Sequence, residues 1–212
     1  HETELRVMND GEAEIKIYAD GAAFLAENQA LLDTNPQISA FMALDAPLLK
    51  ETGKINYAVK CERNGKTLLA MKVEPYHLQL FGDADCAGDL LDFLTREGYE
   101  VRNYLCEKTL GDAVAREMEA RLGVRYEEAL AMEFMEARES TEPSSPEVGA
   151  ADEGDLDEIC ACMERFLIEC NLQDKLNREA MRRNIGDFRV IRADGRVASV
   201  GKAVRDIGES MR

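Results

Sequence analysis

The chain has 212 residues, of which 45% are hydrophobic and 32% are charged, a composition typical of a soluble globular protein. Its formal net charge of −16 disfavours binding to nucleic acid or to anionic lipid, because the phosphates of both would be repelled. No apolar run reaches the roughly 18 residues of a membrane-spanning helix, and the N-terminus lacks the apolar core of a signal peptide. We therefore expect a cytoplasmic protein that binds neither nucleic acid nor membranes.

The first part of the chain predicts two helices followed by a hairpin. The stretch "FLAENQALL" has apolar side chains at helical spacing, and Pro36 begins a second helix that Pro47 bends or ends. Two apolar strands then flank Asn64-Gly65, a dipeptide typical of a type I′ turn.

Strands and helices alternate after this hairpin. The pattern predicts a strand over 76–81, a helix over 85–97, a strand in "YEVRNYLC", a helix over 109–122 and a last strand or strand pair in "VRYEEALAMEFMEA". The expected fold class is therefore α/β (α+β), with a mixed sheet that is largely antiparallel first and has parallel crossovers later.

The segment "ESTEPSSPEVGA", residues 139–150, has the composition of a linker, rich in Pro, Ser and Glu. It predicts a first domain at 1–138 and a second region at 151–212. The first is of ordinary domain size, whereas the second is small for a domain.

The region after the linker repeats the order of elements seen at the start. Asp152 and Asp155 have the spacing of a capping box at the start of a helix, and a second helix follows. Asp194-Gly195 then marks another hairpin. The order helix, helix, strand, Xaa-Gly, strand occurs twice, which predicts an internal repeat.

The six cysteines do not have the spacing of a metal site. No Cys-x-x-Cys occurs, and Cys160 and Cys162 point to opposite sides of a predicted helix. Cys160 and Cys170 instead join Phe166 and other apolar residues on one helical stripe. We expect free thiols, no disulfide and no bound metal.

Three stretches carry a resemblance to a known family. "ADEGDLDEICACMERFLIECNLQ" resembles the first helix of the GNAT superfamily of acetyl-CoA-dependent N-acetyltransferases, and "FRVIRADGRVASVGKAVRD" resembles its second and third strands. "FLAENQALLDTNPQISAFM" is similar to the degenerate N-terminal half of two-domain bacterial members. The resemblance implies a GNAT-like (acyl-CoA N-acyltransferase-like) fold, complete in residues 1–138 and followed by the first half of a second copy. It also implies acetyl transfer from acetyl-CoA to a small-molecule or peptide amine.

The resemblance also implies where acetyl-CoA would bind. Family members hold its pyrophosphate on an Arg/Gln-x-x-Gly-x-Gly/Ala turn at a helix N-terminus. The chain ends before that turn in the second copy, and the matching place in the first copy, "FGDADCAGDLLDFL", lacks the motif and carries Asp83, Asp85 and Asp89. We therefore expect acetyl-CoA to be a cofactor of an intact parent protein only. No catalytic, cofactor-binding or metal residue is expected within this chain, which should be inactive alone.

The acceptor amine in such enzymes meets the loop between the first two helices. This implies Phe166, Glu169 and Asn171 as substrate-binding candidates. Phe166 could equally be a core residue and Glu169 a solvated surface charge. The alternative function is a non-enzymatic pseudo-acetyltransferase module, used for dimerisation, for instance as a homodimer, or for binding a basic protein.

Overall fold

The computed structural model describes residues 4–7, 13–133, 148–170 and 175–202. They form two compact units, the first with the described residues up to 133 and the second with those from 148 onwards. The first contains a six-stranded sheet and the second a three-stranded sheet.

The first unit is a mixed sheet with four helices. Its strands are β1 (Glu4–Val7), β2 (Glu14–Ile17), β3 (Tyr57–Arg63), β4 (Lys66–Lys72), β5 (Leu78–Gly82) and β6 (Tyr104–Leu105); its helices are α1 (Gly21–Leu32), α2 (Pro36–Asp45), α3 (Ala87–Arg96) and α4 (Lys108–Leu122). The strands lie in chain order, and all neighbours are antiparallel except the parallel pair β5 and β6. The prediction of a mixed α/β protein is confirmed.

Helices cover both faces of this sheet. The face of α1 and α2 buries Tyr18, Phe24, Leu32, Met42, Ala58, Leu69, Met71 and Phe81. The face of α3 and α4 buries Ile15, Val59, Cys61, Leu68, Ala70, Leu80, Leu90, Phe93, Val114 and Met118. Because β3 and β4 are covered on both sides, each contains an uninterrupted apolar run, Tyr57–Val59 and Leu68–Met71, rather than an alternating pattern.

Pro47 ends α2 as predicted, since that helix stops at Asp45 and is followed by a 3-10 turn over Ala46–Leu48. Leu48, the last residue of this turn, is 54% exposed.

The predicted strands beyond α3 are mostly missing from the described residues. β6 has two residues rather than eight, and residues 123–133 contain no strand. Val124, Leu130 and Met132 alternate as in a strand but are all more than 40% exposed. A segment with alternating apolar residues forms a strand only where a neighbouring strand supplies pairing partners. β6 supplies only two residues for such pairing. The rest of the predicted strand pair, 134–137, lies outside the described residues.

The second unit contains β7 (Val148–Ala150), α5 (Leu156–Glu169), α6 (Arg178–Arg183), β8 (Phe188–Ala193) and β9 (Arg196–Lys202). β8 is the central strand and pairs antiparallel with both neighbours. The linker prediction is wrong for its last three residues, because they form β7; residues 139–147 lie outside the described ranges.

The predicted capping box begins the helical part of the second unit. The Asp152 side chain accepts a hydrogen bond from the N–H of Gly154 at 2.7 Å, and Asp155 accepts one from the N–H of Asp152 at 2.9 Å. Asp155 also forms a salt bridge with Arg192 of β8. The cap therefore connects the start of the helix to the central strand.

The two units share one arrangement of strand, two helices and hairpin. The N–H of Tyr18 after β2 donates to the Ala58 carbonyl at 3.0 Å, and that of Ala151 after β7 donates to the Phe188 carbonyl at 3.1 Å. In both units the helix pair covers the sheet face that carries this acceptor residue, Ala58 or Phe188. The predicted repeat of element order is therefore present in the structure.

Both hairpin turns have the same backbone conformation. Asn64 and Gly65 have φ of 51° and 76°, and Asp194 and Gly195 have φ of 52° and 76°. Two successive positive φ angles are the requirement of a type I′ turn. The prediction of this turn type from the two dipeptides is confirmed.

Candidate functional site

The predicted acceptor residues lie at the end of α5. Phe166 is 49% exposed and Glu169 is also exposed, so the alternative of Phe166 as a core residue is wrong. Three residues apart, the two side chains share one side of the helix. Asn171 lies outside the described residues, and an acceptor role for the three stays a prediction.

The stripe prediction is right for Cys160, which is buried, and wrong for Cys170, which is exposed.

The loop between β5 and α3 is where a GNAT-like first unit would hold a pyrophosphate. Gly82 has a φ of 128°, and a Cβ there would lie 2.2 Å from the Thr67 carbonyl oxygen, so only glycine fits. The N–H of Asp83 donates to that same oxygen at 2.7 Å, and the N–H of Asp85 donates to the Asp83 side chain at 2.9 Å. The N–H of Cys86 donates to the Asp83 carbonyl. Donors that a phosphate would need are thus already engaged by the chain.

Charge also disfavours a phosphate at this loop. Lys66 Nζ lies 3.1 Å from an Asp83 oxygen and 2.7 Å from an Asp85 oxygen, and Arg63 pairs with Asp89 at 2.9 Å. The N–H of Asp85 and then Lys66 lower the pKa of Asp83, so this carboxylate is charged at neutral pH. Three carboxylates therefore already neutralise the two nearby cations.

A recess lies where β5 and β6 diverge, and we call it the β5–β6 recess. The two strands pair only at Leu78 with Tyr104 and Gln79 with Leu105. The recess is small, with about 30 Å³ of space for water-sized groups, and is lined by Ile38, Phe41, Met42, Gln79, Leu80, Phe81, Leu105 and Cys106. Burial raises the pKa of the Cys106 thiol to about 12, so this group is a protonated, unreactive part of the wall.

Gln79 is the polar member of this wall and is only 5% exposed. Its Nε2 donates to Asp45 at the end of α2. Burial raises the pKa of Asp45, although the hydrogen bond from Gln79 opposes this shift. The Gln79 Oε1 is buried and has no hydrogen-bond partner among the described residues. A buried hydrogen-bond acceptor without a partner lowers the stability of a fold, and Gln79 Oε1 is such an acceptor.

The described residues contain no group of three or more His, Cys, Asp or Glu side chains that could hold a metal ion. All six cysteines are free, and Cys61, Cys86 and Cys160 are buried. Within the same ranges, no helix combines the length and the apolar character needed to cross a membrane.

Comparison of the chain with protein-family models, with curated proteins and with solved structures gave no match. The arrangement of the chain's own residues is therefore the basis of what we propose for its function.

Sequence reasoning missed the β5–β6 recess. The signal was Gln79, a polar residue between Leu78 and Leu80 in a strand that is buried on both faces. Such a residue needs a partner, and its place within the two-residue parallel pair became visible only in the folded chain.

Proposed function

We propose that the chain belongs to an acetyltransferase that moves an acetyl group from acetyl-CoA to an amine, and that it has a GNAT-like fold. In this proposal the first unit is a GNAT-like domain that does not bind the cofactor. The second unit corresponds to the first strand, helix pair and hairpin of a catalytic GNAT domain.

The repeated arrangement is the observation that carries the proposal. Strand, two helices and hairpin occur in both units with the same turn conformation and the same face covered by helices. Two copies of one arrangement are what a tandem GNAT-like protein requires. In the first unit the chain continues into β5, α3 and the parallel strand β6, the order that the family resemblance implies.

The loop after β5 supports a non-catalytic role for the first unit. Its N–H groups donate to Thr67 and Asp83, and its carboxylates already bind Lys66. A diphosphate would have to displace these contacts and face the remaining negative charge. We therefore assign acetyl-CoA binding to the whole protein and not to this unit.

A non-enzymatic module is the second candidate function. The occupied loop favours it, because a domain that has lost its cofactor loop can still serve dimerisation or partner binding. The net charge of −16 fits a basic protein partner.

Two measurements test the proposal. The full-length gene product is incubated with acetyl-CoA and a pool of primary amines, and free CoA is measured by chromatography; we expect release of CoA that depends on both amine and protein. Calorimetric titration of the 212-residue chain should give a dissociation constant for acetyl-CoA of about 1 mM or weaker, or roughly 4 kcal/mol at most.

The possible results separate the two candidates. Absence of amine-dependent CoA release by the full-length product would favour the non-enzymatic module. Micromolar binding of acetyl-CoA by the 212-residue chain would contradict the assignment of the first unit as cofactor-free.

A further inference from the structure

We propose that a cleft between two loops of the first unit binds a free α-amino acid with a large aliphatic side chain, such as leucine. One loop, residues 48–51, follows α2, and the other, residues 73–76, joins β4 to β5; we call the space between them the loop cleft. It lies at the other end of β5 from the Gly82 loop, and the inference does not depend on acetyl transfer by the protein.

The loop cleft is large enough for such a ligand. It provides about 430 Å³ of space for water-sized groups and is open on one side. Sites for small molecules usually have volumes of about 300–1,000 Å³. The roughly nine non-hydrogen atoms of leucine need about 270 Å³, at ~30 Å³ per water-sized group. The ligand therefore fits, with space left for water at the open side.

Backbone hydrogen bonds hold both loops in place, so the cleft exists without a ligand. In the first loop, the Leu49 carbonyl accepts a hydrogen bond from the N–H of Gly21 at 2.8 Å. In the second loop, the N–H of Tyr76 donates to the Val73 carbonyl at 2.8 Å. Binding to a preformed cleft does not require the ordering of a loop, which favours affinity.

The apolar residues of the cleft fit an aliphatic side chain. Leu49 and Val73 are buried, whereas Leu48 is 54% exposed and Tyr76 is 46% exposed. All four residues line the cleft. An aliphatic group that covers Leu48 and Tyr76 removes apolar surface from water, which is favourable.

The cleft also contains two opposite charges without partners. Lys50 and Glu51 both line it, and neither side chain forms an ion pair or a hydrogen bond within the ranges that the structure describes. The remaining charged residue of the lining, Glu74, is already paired with Lys72 at 2.6 Å.

An unpaired lysine stands out in a chain with a net charge of −16. Other lysines of the first unit do pair with carboxylates, namely Lys16, Lys60, Lys66, Lys72 and Lys108. Lys50 is therefore available to an anionic group of a ligand.

A free amino acid carries both of the charges that the cleft lacks. Its carboxylate can pair with Lys50 and its ammonium with Glu51. A ligand with a positive charge alone would be repelled by Lys50, and one with a negative charge alone would be repelled by Glu51. Charge complementarity therefore favours a zwitterion over either ion.

The test compares leucine with two analogues on the 212-residue chain near neutral pH. Leucinamide lacks the carboxylate, and 4-methylpentanoate lacks the ammonium. Dissociation constants are measured by two-dimensional NMR titration up to about 50 mM, with the backbone amides of Lys50 and Tyr76 as reporters. We expect leucine to bind with a dissociation constant of about 1 mM. It should bind about 2- to 5-fold more tightly than either analogue, the ratio for one exposed ion pair.

Two variants assign the charges. Lys50→Gln should bind leucine and leucinamide equally, and Glu51→Gln should bind leucine and 4-methylpentanoate equally. Lys175→Gln is the matched control, because Lys175 is an exposed lysine of the second unit and its replacement should leave all three affinities unchanged.

Both Lys50 and Glu51 are exposed, so their replacement should not impair folding. If one variant does not fold, the ratios in the wild-type chain still decide. Equal affinities for leucine and either analogue in the wild type, an unchanged ratio in either folded variant, or no binding of leucine up to about 50 mM would each overturn the proposal.

Discussion

Gly82 is a position where one added methyl group should clearly destabilise the first unit. Its φ of 128° is strained for any residue with a side chain, which costs about 1–3 kcal/mol. The new Cβ would also lie 2.2 Å from the Thr67 oxygen, a backbone atom that cannot rotate away. Relief of the clash would weaken the hydrogen bond from Asp83 to Thr67, worth about 1 kcal/mol. We expect Gly82→Ala to lower the free energy of unfolding by about 3–5 kcal/mol.

The assay can isolate the first unit because of where the tyrosines lie. The chain has six tyrosines, all between positions 18 and 126, and no tryptophan. Urea unfolding followed by tyrosine fluorescence therefore reports on the first unit alone, and the shift in midpoint multiplied by the m-value gives the change in free energy.

Gly53→Ala is the matched control. A Cβ at Gly53 meets no atom within 4 Å, and its φ does not lie in the positive region. This variant should change the free energy of unfolding by less than about 0.5 kcal/mol, or increase it slightly by restricting the unfolded chain. If Gly82→Ala stays within about 1 kcal/mol of the wild type, the argument from φ and Cβ distance is refuted.

Two further predictions concern titration and thiol reactivity. Burial raises the pKa of Tyr18 and of Tyr104 to about 12, above the usual 10 that applies when the chain is unfolded. The unfolded state therefore loses its protons first, and the melting temperature of the first unit should fall between pH 10 and 12, as followed by absorbance at 295 nm; a constant melting temperature over that range would contradict this burial. In the native protein at pH 8, a disulfide reagent should modify exposed Cys170 rapidly but Cys61 and Cys86 only after denaturation, as read by mass spectrometry of peptides; rapid modification of the two buried thiols would contradict their placement.

The features that the sequence predicted well are local in the chain. The turns at Asn64-Gly65 and Asp194-Gly195 and the capping box at Asp152 each depend on residues within three positions of one another. Their physical cause is backbone conformation or a short-range hydrogen bond, so neighbouring letters suffice to predict them.

The features that the sequence predicted poorly depend on residues far apart. β7 forms because Val148–Ala150 pair with β8. The polar composition of residues 139–150 does not indicate this pairing. The β5–β6 recess forms because two strands pair over only two residues, which no pattern in either strand encodes. For the same reason, the exposure of Phe166 could not be predicted from its place on an apolar stripe. The pattern does not indicate how much of the stripe other elements of the fold cover.

The pairing of β7 has a consequence for the order in which the second unit folds. β8 and β9 are joined by a two-residue turn, whereas β7 meets β8 only after a stretch of roughly 40 residues closes, at an entropic cost of about 3 kcal/mol. Three paired residues stabilise β7 too little to offset this cost until α5 and α6 have packed against β8. We therefore expect the hairpin and its helices to form first, and β7 to pair with β8 last during folding and to detach first during unfolding.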